Sequence, residues 1–119
     1  MTNQELFDFV CSSVIKQGRP SVNEYGDCRY RGRNGLKCAA GFLLTDEQAK
    51  KCEGLEWNYV LYRYPELSDL GDARLVRHLQ LAHDIASSFD SFNSVFVKKC
   101  SNVARKFNLS AKILEETSD

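Results

Sequence analysis

Eleven residues, CRYRGRNGLKC from position 28 to 38, concentrate the groups in this chain that could do chemistry. Two cysteines bracket four cations (Arg29, Arg31, Arg33 and Lys37), and Asn34-Gly35 lies near the centre. A thiol in an electropositive setting is a candidate nucleophile, because nearby cations favour its thiolate; it also needs a base and a group that orients the base. His83-Asp84 is the pair that could supply both. A small cysteine-dependent enzyme using Cys28 or Cys38 with His83 is therefore one reading. No catalytic signature in the chain identifies a reaction. His83 also lies on an apolar helical stripe, where a hydrogen-bonded core histidine is the commoner outcome, so the reading leans away from an enzyme.

Zinc is a second chemistry to weigh. Structural zinc takes four cysteine or histidine ligands, usually in pairs two to four residues apart. Nine residues separate Cys28 from Cys38, and Cys11, Cys52 and Cys100 have no partner nearby in sequence. His78 and His83 are five apart, roughly 140° around a helix, so they make no helical ligand pair. No metal and no cofactor is assigned, and the five cysteines read as buried free thiols.

Nucleic acid is the third. Arg29, Arg31, Arg33 and Lys37 on one surface could contact phosphates, with Tyr25 or Tyr30 stacking on bases. The whole chain is neutral, with sixteen basic and sixteen acidic residues, although six cations against two anions lie between Lys16 and Lys37. A basic stripe of the kind that tracks a phosphate backbone is missing. A charged, solvated loop face is the plain alternative.

The elements that must position these groups can be read from patterning. Alternation over 28–38 sets Cys28, Tyr30, Leu36 and Cys38 on one face and Arg29, Arg31 and Lys37 on the other. A three-residue loop, Arg33-Asn34-Gly35, preserves that match and asks Gly35 for a left-handed conformation. A short antiparallel β-hairpin near residues 28–40 is the expectation, with the arginines outward.

Around it the 3.6-residue period predicts about five helices. Thr2 to Glu5 is a capping box that opens a helix carrying Leu6, Phe9, Val10 and Val14, which ends before Gly18 and Pro20. Thr45 to Gln48 is a second capping box, and its short helix stops near Glu53-Gly54. An aromatic run, Trp57, Tyr59, Tyr62 and Tyr64, reads as a turn or two of helix closed by Pro65. Asp72 caps a long helix from Ala73 to about Ser88, another runs from about Phe92 to Phe107, and a last short one follows Ser110. The expected fold is α+β: a mostly helical single domain over 1–119, with an acidic, frayed end at 115–119. The opening apolar run is broken by Asp8 and lacks a basic leader, so neither a signal peptide nor a membrane anchor is expected. The expected location is the cytoplasm.

Cys28-Arg29-Tyr30-Arg31-Gly32, followed by Asn34 to Gly41 (NGLKCAAG), resembles a family of small uncharacterised proteins frequent in phage and prophage genomes. Their shared pattern is a Cys-x-Tyr-Arg-Gly hairpin, a Gly-x-x-Cys-Ala-x-Gly return strand, a leucine-isoleucine pair, an aspartate and a later Glu-Gly. Cys28, Tyr30, Gly32, Gly35, Cys38, Gly41, Asp46, Glu53 and Gly54 match it, and Gln80 and His83-Asp84 resemble a downstream Leu-Gln-x-x-His-Asp segment. Phe42 stands where relatives often carry cysteine or histidine, and Thr45 where proline is common. The resemblance implies a phage-type accessory protein in the cytoplasm of a host cell, and no particular reaction.

The leading functional expectation is a non-enzymatic interaction protein. Its partner would be a host or phage protein, with inhibition of a host defence system as one such role. Arg29, Arg31, Arg33, Asn34, Lys37, Trp57 and Tyr59 are the expected binding residues, because arginine and aromatic side chains anchor interfaces most often. A nucleic-acid-binding module and the cysteine-dependent enzyme are the alternatives.

Overall fold

Two capping boxes start the first two helices of the computed structural model, which describes residues 1–117. Thr2 Oγ1 accepts the Glu5 N–H at 3.1 Å, and the Glu5 carboxylate accepts the Thr2 N–H at 2.9 Å. Thr45 and Gln48 repeat the exchange. With the free N–H groups of the first turn satisfied, α1 spans Asn3–Gln17 and α2 spans Asp46–Cys52. Gly18, at φ 73°, ends α1 by accepting a left-handed conformation.

α3 (Trp57–Arg63) follows, then a 3-10 stretch over Pro65–Leu70. Asp72 opens α4 (Ala73–Ala86) by accepting the Arg74 N–H at 2.8 Å. α5 (Phe92–Lys106) folds back on α4 after a short connection, and α6 (Lys112–Thr117) closes the chain. α1 lies against α4, α5 and α6, burying Leu6, Phe7, Val10 and Val14 against Leu75, Leu79 and Phe96 in one continuous core. Of the acidic end at 115–119, residues 115–117 belong to α6, and 118 and 119 lie outside the described residues. Among the described residues, no helix is long and apolar enough to cross a membrane.

The fold is all-α, which corrects the α+β expectation. Six α-helices and three 3-10 stretches make up the described residues, and the expected hairpin over 28–40 is absent. A single isolated bridge, Val22 to Cys28, is the only pairing among them. Arg33–Gly35 forms a 3-10 turn with Asn34 at φ 57° and Gly35 at φ 76°, and Ala40–Leu43 forms another. The left-handed glycine was legible; the strands around it were not.

The physical reason is where the backbone hydrogen bonds go. The N–H groups of Tyr30 and Arg31 donate to the two carboxylate oxygens of Glu53, at 2.6 and 3.2 Å. The Lys37 N–H donates to Gln17 Oε1 and the Ala40 N–H to Gln80 Oε1. The Ser21 hydroxyl donates to the carbonyl of Arg29 at 2.6 Å and lies 3.2 Å from that of Leu36. Side chains from α1, α4 and the end of α2 thus take the groups that a strand ladder would have used.

Arg31 is corrected with the hairpin. It was expected on the outer face, yet its guanidinium turns inward. Nη1 donates to the carbonyl of Gly41 at 2.8 Å, Nη2 to that of Leu44 at 2.8 Å, and Nε to Asp46 Oδ1 at 2.9 Å. Gly41 permits this clasp, because a Cβ there would lie 2.6 Å from the Tyr30 carbonyl oxygen.

Candidate functional site

α4 places Gln80, His83 and Asp84 on one side at i, i+3 and i+4, facing the loop that carries Cys28. One donor atom each of Cys28, His83 and Asp84 lie within 4.8 Å of one another. Gln80 ties them together: its Nε2 is 2.9 Å from Cys28 Sγ and 2.9 Å from Asp84 Oδ1, while its Oε1 takes the Ala40 N–H. The cluster stands at the edge of a cleft of about 470 Å³ whose walls include Tyr30, Glu53, Trp57, Arg77 and Leu81.

Cysteine, histidine and aspartate beside a cleft is the composition of a nucleophilic triad, and of a three-ligand metal site. In this arrangement the hydrogen bonds already engage both ring nitrogens of His83. The Ser21 N–H donates to His83 Nε2 at 3.1 Å, in surroundings fully closed to solvent. Nε2 must therefore be unprotonated, and the ring proton sits on Nδ1, 3.1 Å from Asp84 Oδ1. Neither nitrogen has a free lone pair to take a thiol proton or to bind a metal.

The thiol is equally unsuited. The hydrogen bond with Cys38, together with burial, pushes the Cys28 pKa far above the usual range, and His83 offsets only part of this. For His83, burial acts downward and the contacts with Asp84 and Cys28 act upward, with a net rise. A second proton on Nε2 would nonetheless point at the Ser21 N–H. The cluster is built as a latch that holds the 19–40 segment onto α4.

The other sequence-selected residues fall in several places. Cys38 is fully buried, Tyr30 is buried with its hydroxyl donating to the Leu55 carbonyl, and Glu53 holds the Tyr30 and Arg31 amides. Asp46 pairs with Arg31, whose guanidinium keeps the carboxyl below its ordinary pKa. Arg33 is exposed and 3.6 Å from Glu24, and Asn34 is exposed beside it. The Lys37 ammonium lies 5.7 Å from the Phe42 ring centre. Arg29 is half-buried. Trp57 is buried at the cleft, whereas Tyr59 is exposed on α3 with Tyr62, ring centres 6.1 Å apart. The cleft brings Trp57 to Cys28, Tyr30, Glu53 and Gly54; Arg29, Arg31, Arg33, Asn34, Lys37 and Tyr59 do not line it.

Sequence reasoning missed Ser21 as the donor to His83 and Gln80 as the hub. It also missed a surface feature of α4 and the turn after it: Leu81, Ile85 and Phe89 are 55, 37 and 51 % exposed. Their spacing of four, offset from the buried Leu75, Leu79, Ala82 and Ala86, was the available signal. Compared with protein-family models, with characterised proteins and with solved structures, the chain has no match.

Proposed function

We propose that this protein is a phage-type accessory protein that acts in the host cytoplasm by binding another protein, host or phage, and catalyses no reaction. The observation that carries the reading is the pair Leu81 and Ile85, exposed one turn apart on α4, with Phe89 exposed in the turn beyond it. Removing the exposed remainder of each such side chain from water contributes about 1 kcal/mol, roughly half the value for full burial, and grouped large apolar residues at a surface mark interaction sites. The chemistry-bearing cluster supports the same reading from the other side, since its hydrogen bonds are committed to holding a loop. The resemblance to small phage and prophage proteins suggests a target in the host, such as a component of a defence system.

Affinity capture from a host lysate, comparing the protein with a Leu81→Ser, Ile85→Ser double variant, tests this. The expected result is a protein retained by the first and lost by the second, with the double variant still folded although somewhat less stable, since Ile85 is only 37 % exposed and serine is a poorer helix former than leucine. Identical capture by both would remove the stripe as the binding surface.

A further inference from the structure

The stripe borders a second depression, of about 320 Å³, between α4 and α5. α4 contributes His78, Leu81, Ala82 and Ile85 to it, which are the i, i+3, i+4 and i+7 positions of one face. α5 contributes Asn102 and Val103 between Lys99 and Lys106, with the same spacing. The floor is apolar, the flank on α5 carries two ammonium groups, and among the described residues no carboxylate lines the groove. At the His78 end burial and the charges of Lys106, Arg77 and Arg74 hold the imidazole pKa down, while Asp72, paired with Arg74, acts in the opposite direction.

We infer that this groove receives an amphipathic helix of a partner protein, with an apolar face toward Leu81, Ile85 and Val103 and glutamates or aspartates along the edge facing Lys99 and Lys106. The shape and the charge pattern each argue for this occupant. Residues 78 to 85 define about 10 Å of groove, close to two helical turns, and a third helix laid between two packed ones buries a stripe at i, i+3, i+4 and i+7. Acidic side chains on that helix meet cations along the whole α5 edge, which steers encounter and fixes orientation. The inference rests on the reading that the protein works by binding another protein, and names the class of that partner.

The test uses two synthetic 18-residue helical peptides with identical leucine stripes, one flanked by glutamate and the other by lysine. Binding of each labelled peptide is followed by fluorescence anisotropy, and amide shifts are followed at Leu81 and Ile85. The glutamate peptide should bind at least tenfold tighter, weaken as salt is raised, and shift Leu81 and Ile85. A Lys99→Glu, Lys106→Glu variant should reverse the preference. Equal binding of the two peptides, binding of neither, or shifts confined to another surface would overturn the proposal. So would a dimer in sedimentation that Leu81→Ser abolishes, which would assign the groove to a second copy of the chain. Lysate capture that still depends on Leu81 and Ile85 when the peptides fail would sink the acidic helix alone and leave the protein-binding reading standing.

Discussion

The backbone N–H of Ser21 lies 3.1 Å from Nε2 of His83 and points its hydrogen at it, so a fully buried imidazole accepts a proton-bearing group where a catalytic base would need an open lone pair. This one contact fixes the tautomer, orients Nδ1–H toward Asp84 and fastens the start of the long loop to α4. The first prediction comes from it.

Replacing His83 by leucine nearly keeps the volume and removes both nitrogens. The Ser21 amide is then buried without a partner, and the loss should be about 2–3 kcal/mol in urea unfolding. Asp84→Asn should cost far less, because an amide oxygen still accepts from Nδ1 and from Gln80. Equal losses for the two variants would mean that the charge of Asp84, and not the fixed tautomer, holds the latch.

Thiol reactivity gives the second. Cys11, Cys38, Cys52 and Cys100 are fully buried, and Cys28 is held as a neutral thiol by Cys38 and by its burial. At pH 8 a thiol-disulfide reagent should therefore modify the folded protein slowly, with no cysteine reacting at the rate of a free peptide thiol, and all five should react at once in denaturant. A single fast cysteine in the folded protein would restore the enzymatic reading.

Arg31 supplies the third. Its guanidinium reaches the carbonyls of Gly41 and Leu44 and the Asp46 carboxylate from one fixed plane. A lysine ammonium is a single point of charge and cannot reproduce that fork, so Arg31→Lys should lower stability by about 2–3 kcal/mol in a chemical melt. Asp46 is fully exposed, and Asp46→Asn should change the midpoint only slightly. A larger effect at Asp46 than at Arg31 would show that the ion pair matters more than the carbonyl clasp.

Acid should loosen the fold through three surface carboxylates. Glu5 is held below its ordinary pKa by the Thr2 N–H, Asp46 by Arg31, and Asp72 by the Arg74 N–H. A depressed folded-state pKa stabilises the protein above the unfolded value, and that contribution disappears as pH falls through the folded value. The melting temperature should therefore be flat with respect to these groups above about pH 5 and decline below about pH 4. A melting temperature that rises on acidification through that window would contradict the sign.

Much of the helical scaffold was legible because its signals are local. The two capping boxes, the Asp72 cap and the 3.6-residue stripes of α4 and α5 each operate within a few residues of chain. The loop defeated the same method. Cys28, Tyr30, Leu36 and Cys38 alternate as strand residues do, but the alternation says nothing about which groups accept the intervening amides. Glu53, Gln17 and Gln80 do so from 23, 20 and 40 residues away. The pairing of one of the two cysteines, Cys28 or Cys38, with His83 was raised from the sequence as nucleophile and base. Its actual state depended on Ser21, a residue with no pattern around it.

The Glu53, Gln17 and Gln80 bonds also impose an order on assembly. A hairpin can form from its own residues, since the two strands supply each other's partners across a short loop. The 28–40 segment is only partly self-sufficient: Gly32 and Leu36 find carbonyls within the turn, but the amides of Tyr30, Arg31, Lys37 and Ala40 are satisfied only after α1, the end of α2 and α4 have met. The helices need nothing from it in return to form their turns. The loop thus leans on the helical frame for four of its amides, and those are the bonds that open first when α4 shifts against α1.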